Sequence, residues 1–208
     1  MKKLLLACAL LLAVPAVFAQ DYYPLQDYGL RKNTTRVELY GGMVAPQESW
    51  QDHDTSIDLG KTGWSAGIGF QRNLVNFFSL GLDANYAQLG DNDKDEYGKD
   101  LRTGAATALV TGRVNFFPSS ATRLYIPFGA GIGHVFSRQK IGSSHETYSS
   151  TKFAQMVGVG LEFDIDAELI FGLEGRYYLV DLTDDLKPVT NRNRLHYVDV
   201  LLKLGFRF

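Results

Sequence analysis

A two-residue period runs through this chain almost from end to end, and it limits the possible folds more than any other feature. In the last stretch, His196 to Phe208 (HYVDVLLKLGFRF), Val198, Val200, Leu202, Leu204, Phe206 and Phe208 share one parity. Asp199, Leu201, Lys203, Gly205 and Arg207 share the other. Successive side chains of a strand point to opposite faces, so this spacing predicts a strand and not a helix. The same alternation returns near 36–44, 63–71, 77–88, 101–117, 124–138, 152–164 and 169–180. The segments between these runs are alternately long and short. Ala45–Thr62, Leu89–Asp100, Gln139–Ser150 and Asp181–Arg194 are long and polar, whereas Arg72–Asn76, Pro118–Thr122 and Asp164–Glu168 are tight turns. No period of 3.6 sustains itself. The expectation is an all-β chain of about eight antiparallel strands in up-and-down order, long enough to cross a bilayer and closed into a barrel.

Alternation alone also suits a soluble barrel with its apolar face turned inward. The opposite face decides between the two. It carries Gly, Ser, Thr and Ala with a few charges, as in Ser65, Gly67 and Gly69 or Gly129, Gly131 and Gly133. Such residues fit a narrow lumen better than a water-exposed exterior rich in Lys and Glu. The apolar face also ends in aromatic residues at both mouths. Phe70, Phe78, Phe116, Phe163, Phe171, Phe206 and Phe208 fall near the turns, and Trp64, Tyr86, Phe136 and Phe153 near the loops. Two aromatic girdles are what amphipathic rings form at the two interfaces of a membrane.

The terminal strand, apolar at alternate positions up to its phenylalanine, resembles the last strand of bacterial outer-membrane β-barrels. From about Arg36 to Phe208 the pattern resembles the small OmpA/OmpX-type barrels of the porin-like superfamily. The resemblance implies an eight-stranded antiparallel transmembrane β-barrel with short periplasmic turns and long extracellular loops. It implies residence in the bacterial outer membrane among lipid and lipopolysaccharide, and a structural or interaction role in the cell envelope. It further implies that Val200, Leu202, Leu204, Phe206 and Phe208 form the signal read by the barrel-assembly machinery. A monomer is expected, with loops facing an unknown extracellular ligand or surface.

The N-terminus fits that destination. Lys2 and Lys3 precede an apolar run from Leu4 to Phe18, and Val17 and Ala19 are small residues before Gln20, so residues 1–19 are expected to be a cleaved signal peptide. Residues 20–34 form an irregular periplasmic lead-in, and residues 35–208 the barrel domain. The single cysteine, Cys8, leaves with the leader, so no disulfide, thiolate metal site or cofactor is expected. Removal of Lys2 and Lys3 changes 21 basic against 23 acidic residues to 19 against 23, a balance that argues against nucleic acid as a partner.

Glu38, Asp83, Arg113, Glu162, Glu174, Arg176, Asp199, Lys203 and Arg207 fall on the inner face. Charges in a narrow, low-dielectric interior must pair or be hydrated. Pairing is expected for Asp83 with Arg113, Glu174 with Lys203 and Glu38 with Lys203, with Asp199 and Arg207 completing pairs to the first and seventh strands. Such a network either fills a barrel too small to conduct or gates a small-solute or ion pore, and filling is favoured at this strand number. Other motifs lead nowhere. Asp91 to Asp95 imitates half a calcium loop, but Glu96 replaces its glycine and Arg102 its closing glutamate. The spaced glycines lack the nucleotide-binding pattern. Lipid A deacylase barrels carry a His-x-Ser pair that is missing from Arg176–Asp181, His134 and Ser137 fall on opposite faces, and His196 has no serine beside it, so no catalytic residue is assigned. Deleting Phe208 is expected to lower the yield of membrane-inserted protein in cells more than it lowers the unfolding midpoint of assembled barrel; equal inserted yields would refute the assignment.

Overall fold

Within hydrocarbon no water can bond a free strand edge, so bilayer-length strands are stable only when the last pairs with the first. The computed structural model, which describes residues 33–47, 50–51, 56–57, 62–92, 100–141, 144–183 and 193–208, meets this condition. Its barrel strands are β1 (Thr35–Pro46), β2 (Gly63–Val75), β3 (Phe78–Asn92), β4 (Asp100–Phe116), β5 (Thr122–Ile141), β6 (Ser144–Asp164), β7 (Leu169–Asp181) and β8 (Arg194–Arg207). Each pairs antiparallel with its neighbours in sequence, and β1 closes on β8. The seam runs from Pro46 opposite Tyr197 to Arg36 opposite Arg207. Thr35 and Phe208 then exchange two backbone hydrogen bonds, of 3.1 and 2.9 Å, so the closure continues to the final residue.

Side chains follow the expected parity. Leu82 and Ile132 on the outer face are 60% exposed, while Arg113 and Asp199 on the inner face have no exposure. A protein that hides arginine and presents leucine has hydrocarbon as its solvent. The leader (1–19) and most of the lead-in (20–34) lie outside the described residues, as does the greater part of the first, second and fourth loops. The first loop contains a two-residue ladder, Trp50–Gln51 with Ser56–Ile57.

The third loop departs from expectation. Gln139–Ser150 is not an irregular loop, because β5 and β6 remain paired from Phe136–Ser149 up to Ile141–Ser144. The stretch looked like loop because it is polar, yet Thr147 and Tyr148 are good strand formers and every described position has a cross-strand partner. The first tight turn is likewise shorter than Arg72–Asn76, since β2 continues to Val75 and only Asn76 and Phe77 separate the strands.

At the same end, the turn after β6 is organised by one carboxylate. Asp166 Oδ1 accepts the backbone N–H groups of Glu168 (2.8 Å) and Leu169 (2.7 Å). These donors, Leu169 foremost, hold its carboxyl below the ordinary range. A depressed folded-state value contributes stability above the unfolded-state value, near about 4, and that stability is lost as pH falls through the folded value. Asp166→Ala is therefore expected to lower the unfolding midpoint at neutral pH, with the difference from wild type shrinking below about pH 4. Unfolding followed by gel mobility at two pH values would check this, and a gap that widened in acid would contradict it.

Candidate functional site

Among the described residues the lumen is the one place where polar chemistry is concentrated away from both lipid and water. All nine predicted inner charges face it, but their partners differ in part from the expected ones. Nearest the turns, Glu162 of β6 takes a bidentate bond from Arg113 of β4. Arg36 of β1 lies 3.2 Å from the same carboxylate and Arg123 of β5 3.7 Å from it. Asp164 bonds Arg123, and also Arg207 at 2.9 Å. Arg113 further donates to Asn115, which donates to Ser79 (3.2 Å), which donates to Asn73 (2.7 Å).

One level up, Lys203 of β8 stands between Glu38 of β1 (2.5 Å) and Glu174 of β7 (2.7 Å), as expected. Glu38 also pairs with Arg36 at 2.9 Å. Two tyrosines tie this level together. Tyr125 donates to Glu174 and lies under the Arg113 guanidinium, 3.4 Å from ring centre to carbon. Tyr40 donates to Asp83 (2.7 Å) and lies 4.3 Å from the Arg176 guanidinium. Each ring occupies space opened by a glycine: a Cβ on Gly160 would overlap Tyr125, and one on Gly67 would overlap Tyr40.

Asp83 and Arg113 do not pair. In the β3–β4 register Ser79 stands opposite Arg113 and Asp83 opposite Leu109, four residues further along, roughly 13 Å of strand. Asp83 instead takes Arg176 at 3.0 Å. Arg207 reaches Asp164 and not the first or seventh strand. Asp199 has no ion pair among the described residues; it receives the Asn85 amide at 3.5 Å, and its Oδ1 has no hydrogen bond.

Above Asp199 the lumen changes character. Val44, Leu89, Val135, Val180 and Leu195 form an apolar cluster with Ala87, Ala105, Ala154, Leu109 and Met156 at the loop end. Tyr178 and Tyr197 stack within it at 4.7 Å. This cap was not anticipated, although parity announces it: these positions continue the inner face of each strand past its small and polar residues. Arg36, Arg123 and Asp164 were missed for a related reason. They share parity with Glu38, Tyr125 and Glu162 but stand at strand ends, where lumen and turn are hard to separate.

The girdle residues sit outside the lumen. Trp64, Phe70, Phe116, Phe153 and Phe171 are exposed on the wall, and Phe78, Tyr86, Phe136 and Phe163 are partly covered by neighbours. Val200, Leu202, Leu204, Phe206 and Phe208 are exposed along β8. His134 faces outward and bonds Thr151 (2.7 Å) while Ser137 is buried inside, and His196 bonds the Tyr177 hydroxyl (2.6 Å). Asp91 and Asn92 of the calcium-like run belong to β3, and the rest of that run lies outside the described residues. Among the described residues no group of His, Cys, Asp and Glu could hold a metal.

An apolar, aromatic-belted exterior around a buried charge network defines a transmembrane β-barrel protein. The chain belongs to the outer membrane protein beta-barrel domain family, whose model matches residues 4–208, and its place is the bacterial outer membrane. It is similar in fold to Ail, the attachment invasion locus protein of Yersinia pestis (16% identity, 86% of this chain and 100% of that one, TM-score 0.52). It is similar also to OprG from Pseudomonas aeruginosa (16%, 88% and 99%, 0.52) and to a major outer membrane protein from Thermus thermophilus (11%, 86% and 100%, 0.56). No curated protein matches it in sequence.

Glu162 is the acid with the most guanidinium neighbours among the described residues, so Glu162→Gln takes from Arg113 its bidentate partner, leaving it only Glu38 at 3.5 Å, and takes one of two acids from Arg36 and Arg123. Loss of one member of a buried ion cluster costs about 3–5 kcal/mol. Urea unfolding of the refolded barrel is expected to show a loss of that order, and a change below about 1 kcal/mol would show that the network contributes little.

Proposed function

We propose that this protein is a non-conducting, non-enzymatic barrel that serves the envelope structurally and through its extracellular surface. The observation that carries this reading is that two unlike sets of buried side chains, one charged and one apolar, fill the lumen in series. The lower barrier is a network in which Arg36, Arg113, Arg123, Arg176, Lys203 and Arg207 equal in number the acids Glu38, Asp83, Glu162, Asp164, Glu174 and Asp199, and every one of those acids but Asp199 is ion-paired. A permeating ion would have to displace a fixed counter-charge at every step. The upper barrier is the apolar cap, which strips the hydration shell from any solute that passes the first. A small-solute or ion pore needs a wet, continuous path, and this arrangement supports the filled alternative.

The absence of catalysis is part of the same proposal. A hydrolase needs a nucleophile within reach of a base, and His134, His196 and Ser137 are engaged on different faces or with other partners. A leader over 1–19 delivers the chain for export, the apolar face of β8 acts as its address for the assembly machinery, and the loops meet a surface or ligand outside the cell. Lipid and lipopolysaccharide surround the wall.

Planar-bilayer recording tests the proposal. Purified wild-type protein is expected to give no steady unitary current. Removal of the cap by Leu89→Ser together with Val135→Ser leaves the charge network intact, and that variant is expected to stay closed as well. Reproducible steps from the wild type would establish the pore instead.

A further inference from the structure

Four buried oxygen atoms just below the apolar cap have no hydrogen bond. They are Asp199 Oδ1 of β8, Ser65 Oγ of β2, Asn85 Oδ1 of β3 and Thr107 Oγ1 of β4. None of the four residues is more than 4% exposed. The register gathers three of them on one side of the lumen. Thr107 stands opposite Asn85, and Ser65, the partner of Ala87, is one diagonal step from Asn85. Asp199 faces them from across the lumen, since β8 adjoins neither β2 nor β3 nor β4. Its carboxylate nonetheless receives the Asn85 amide at 3.5 Å and lies close to the Ser65 hydroxyl. Tyr197, two residues nearer the loops and of the same parity, adds another buried hydroxyl without a hydrogen bond.

Positive charge is short at this level. Arg176, the register partner of Asp199 on β7, gives its guanidinium to Glu174, to Asp83 at 3.0 Å and to the Tyr178 hydroxyl at 3.0 Å. At the turn end, by contrast, Asp164 holds two guanidiniums, those of Arg123 and Arg207. Cations are thus gathered toward the turns, and one carboxylate is left over toward the loops. A carboxylate buried away from water must gain a positive partner or give up its charge. The atoms around Asp199 favour the first outcome, because carboxylate, amide and hydroxyl oxygens are the ligands of hard cations. Water would satisfy the same oxygens and leave the charge uncompensated. A doubly charged ion is ordinarily held by more acids than one, and the described residues offer no such group. One carboxylate among neutral oxygens matches a single positive charge.

We infer that Asp199, Asn85, Ser65 and Thr107 form a binding site for a dehydrated monovalent cation of the sodium or potassium kind. Asp199 supplies the charge, and the other three supply the remaining oxygens. The ion is a resident part of the filled lumen, with the apolar cap on one side of it and Arg176 on the other. The inference goes beyond the closed-barrel reading and does not rest on it, because a bound ion is detected whether or not current flows.

Urea unfolding of the refolded barrel, followed by tryptophan fluorescence, tests the site in lithium, sodium, potassium and choline chlorides at equal ionic strength. Choline reports screening alone, since its methyl groups keep oxygen ligands away. Wild type is expected to be more stable in sodium or potassium than in choline. Each tenfold rise in the favoured ion, with choline making up the balance, is expected to raise the folded-to-unfolded ratio by up to about tenfold. Asp199→Asn, which keeps the size and removes the charge, is expected to lose this dependence, and Asn85→Ala to weaken it. Asp181→Asn, which removes an exposed acid paired with Arg194, is expected to keep it. Equal stability of wild type in all four salts would overturn the site, as would an ion dependence that survives Asp199→Asn. Diffraction from wild-type crystals decides the question even where a variant fails to fold. An anomalous peak of thallium(I), or a sodium ion, in bonding contact with the Asp199 and Asn85 oxygens is expected. Water there in crystals grown from thallium(I) and from sodium alike would overturn the inference.

Discussion

The pairing of β1 with β8 is the constraint on which the rest depends. In hydrocarbon every backbone N–H and C=O must find its partner within the protein, so an open sheet of these strands has no stable place there. Closure fixes the circumference, and the circumference fixes how much room is left inside. Thr35 and Phe208 complete the seam at the turn end, and Pro46 with Tyr197 completes it at the loop end. The apolar outer face then follows from the solvent and the polar inner face from the confined volume.

Confinement explains why the lumen is so heavily charged and so extensively paired. Burying an ion in a low-dielectric interior is costly, and ion pairs offset that cost only when their geometry is good and further hydrogen bonds complete them. Tyr40 and Tyr125 supply such bonds and also stack against guanidiniums, so each ring serves a carboxylate with its hydroxyl and an arginine with its face. The glycines beneath the rings are part of that arrangement, since a small residue on one strand admits a large one from its neighbour. Toward the loops the chain changes to aliphatic packing, which carries no desolvation cost. Asp199 lies at the boundary, with a neutral amide where other inner acids have a cation.

Strand number, order and facing were legible because a period of two leaves a mark at every position. Which charges meet was not, because pairing depends on register, and register depends on the turns. The two-residue connection between β2 and β3 and the shift near Leu89 set β3 so that Asp83 stands opposite Leu109 and out of reach of Arg113. Adjacent strands carrying opposite charges suggested a contact that a slip of four residues abolishes. Glu38, Lys203 and Glu174 were legible because they sit near the middle of adjacent strands, where small errors in the ends matter least. The hairpin of β5 and β6 extends further than its sequence suggested because hydrophilicity resembles irregularity, although Thr and Tyr form strands readily above a membrane. The apolar cap lay in plain sight at Val44, Leu89 and Val135, each of the inner parity.

Lys203 gives the barrel a means of checking its own assembly. It lies on the last strand, yet the two acids it serves, Glu38 and Glu174, lie on the strands at either side of it. Until β8 arrives, both carboxylates lack this shared cation. A seam closed one residue out of step would turn Lys203 toward the lipid and bring Leu202 or Leu204 inward against them. Mispairing thus exposes a charge on one side and takes a cation from two acids on the other, leaving Glu38 to Arg36 and Glu174 to Arg176. The same ammonium group that bridges two acids in the finished lumen therefore disfavours, during closure, a seam that is out of step by one residue.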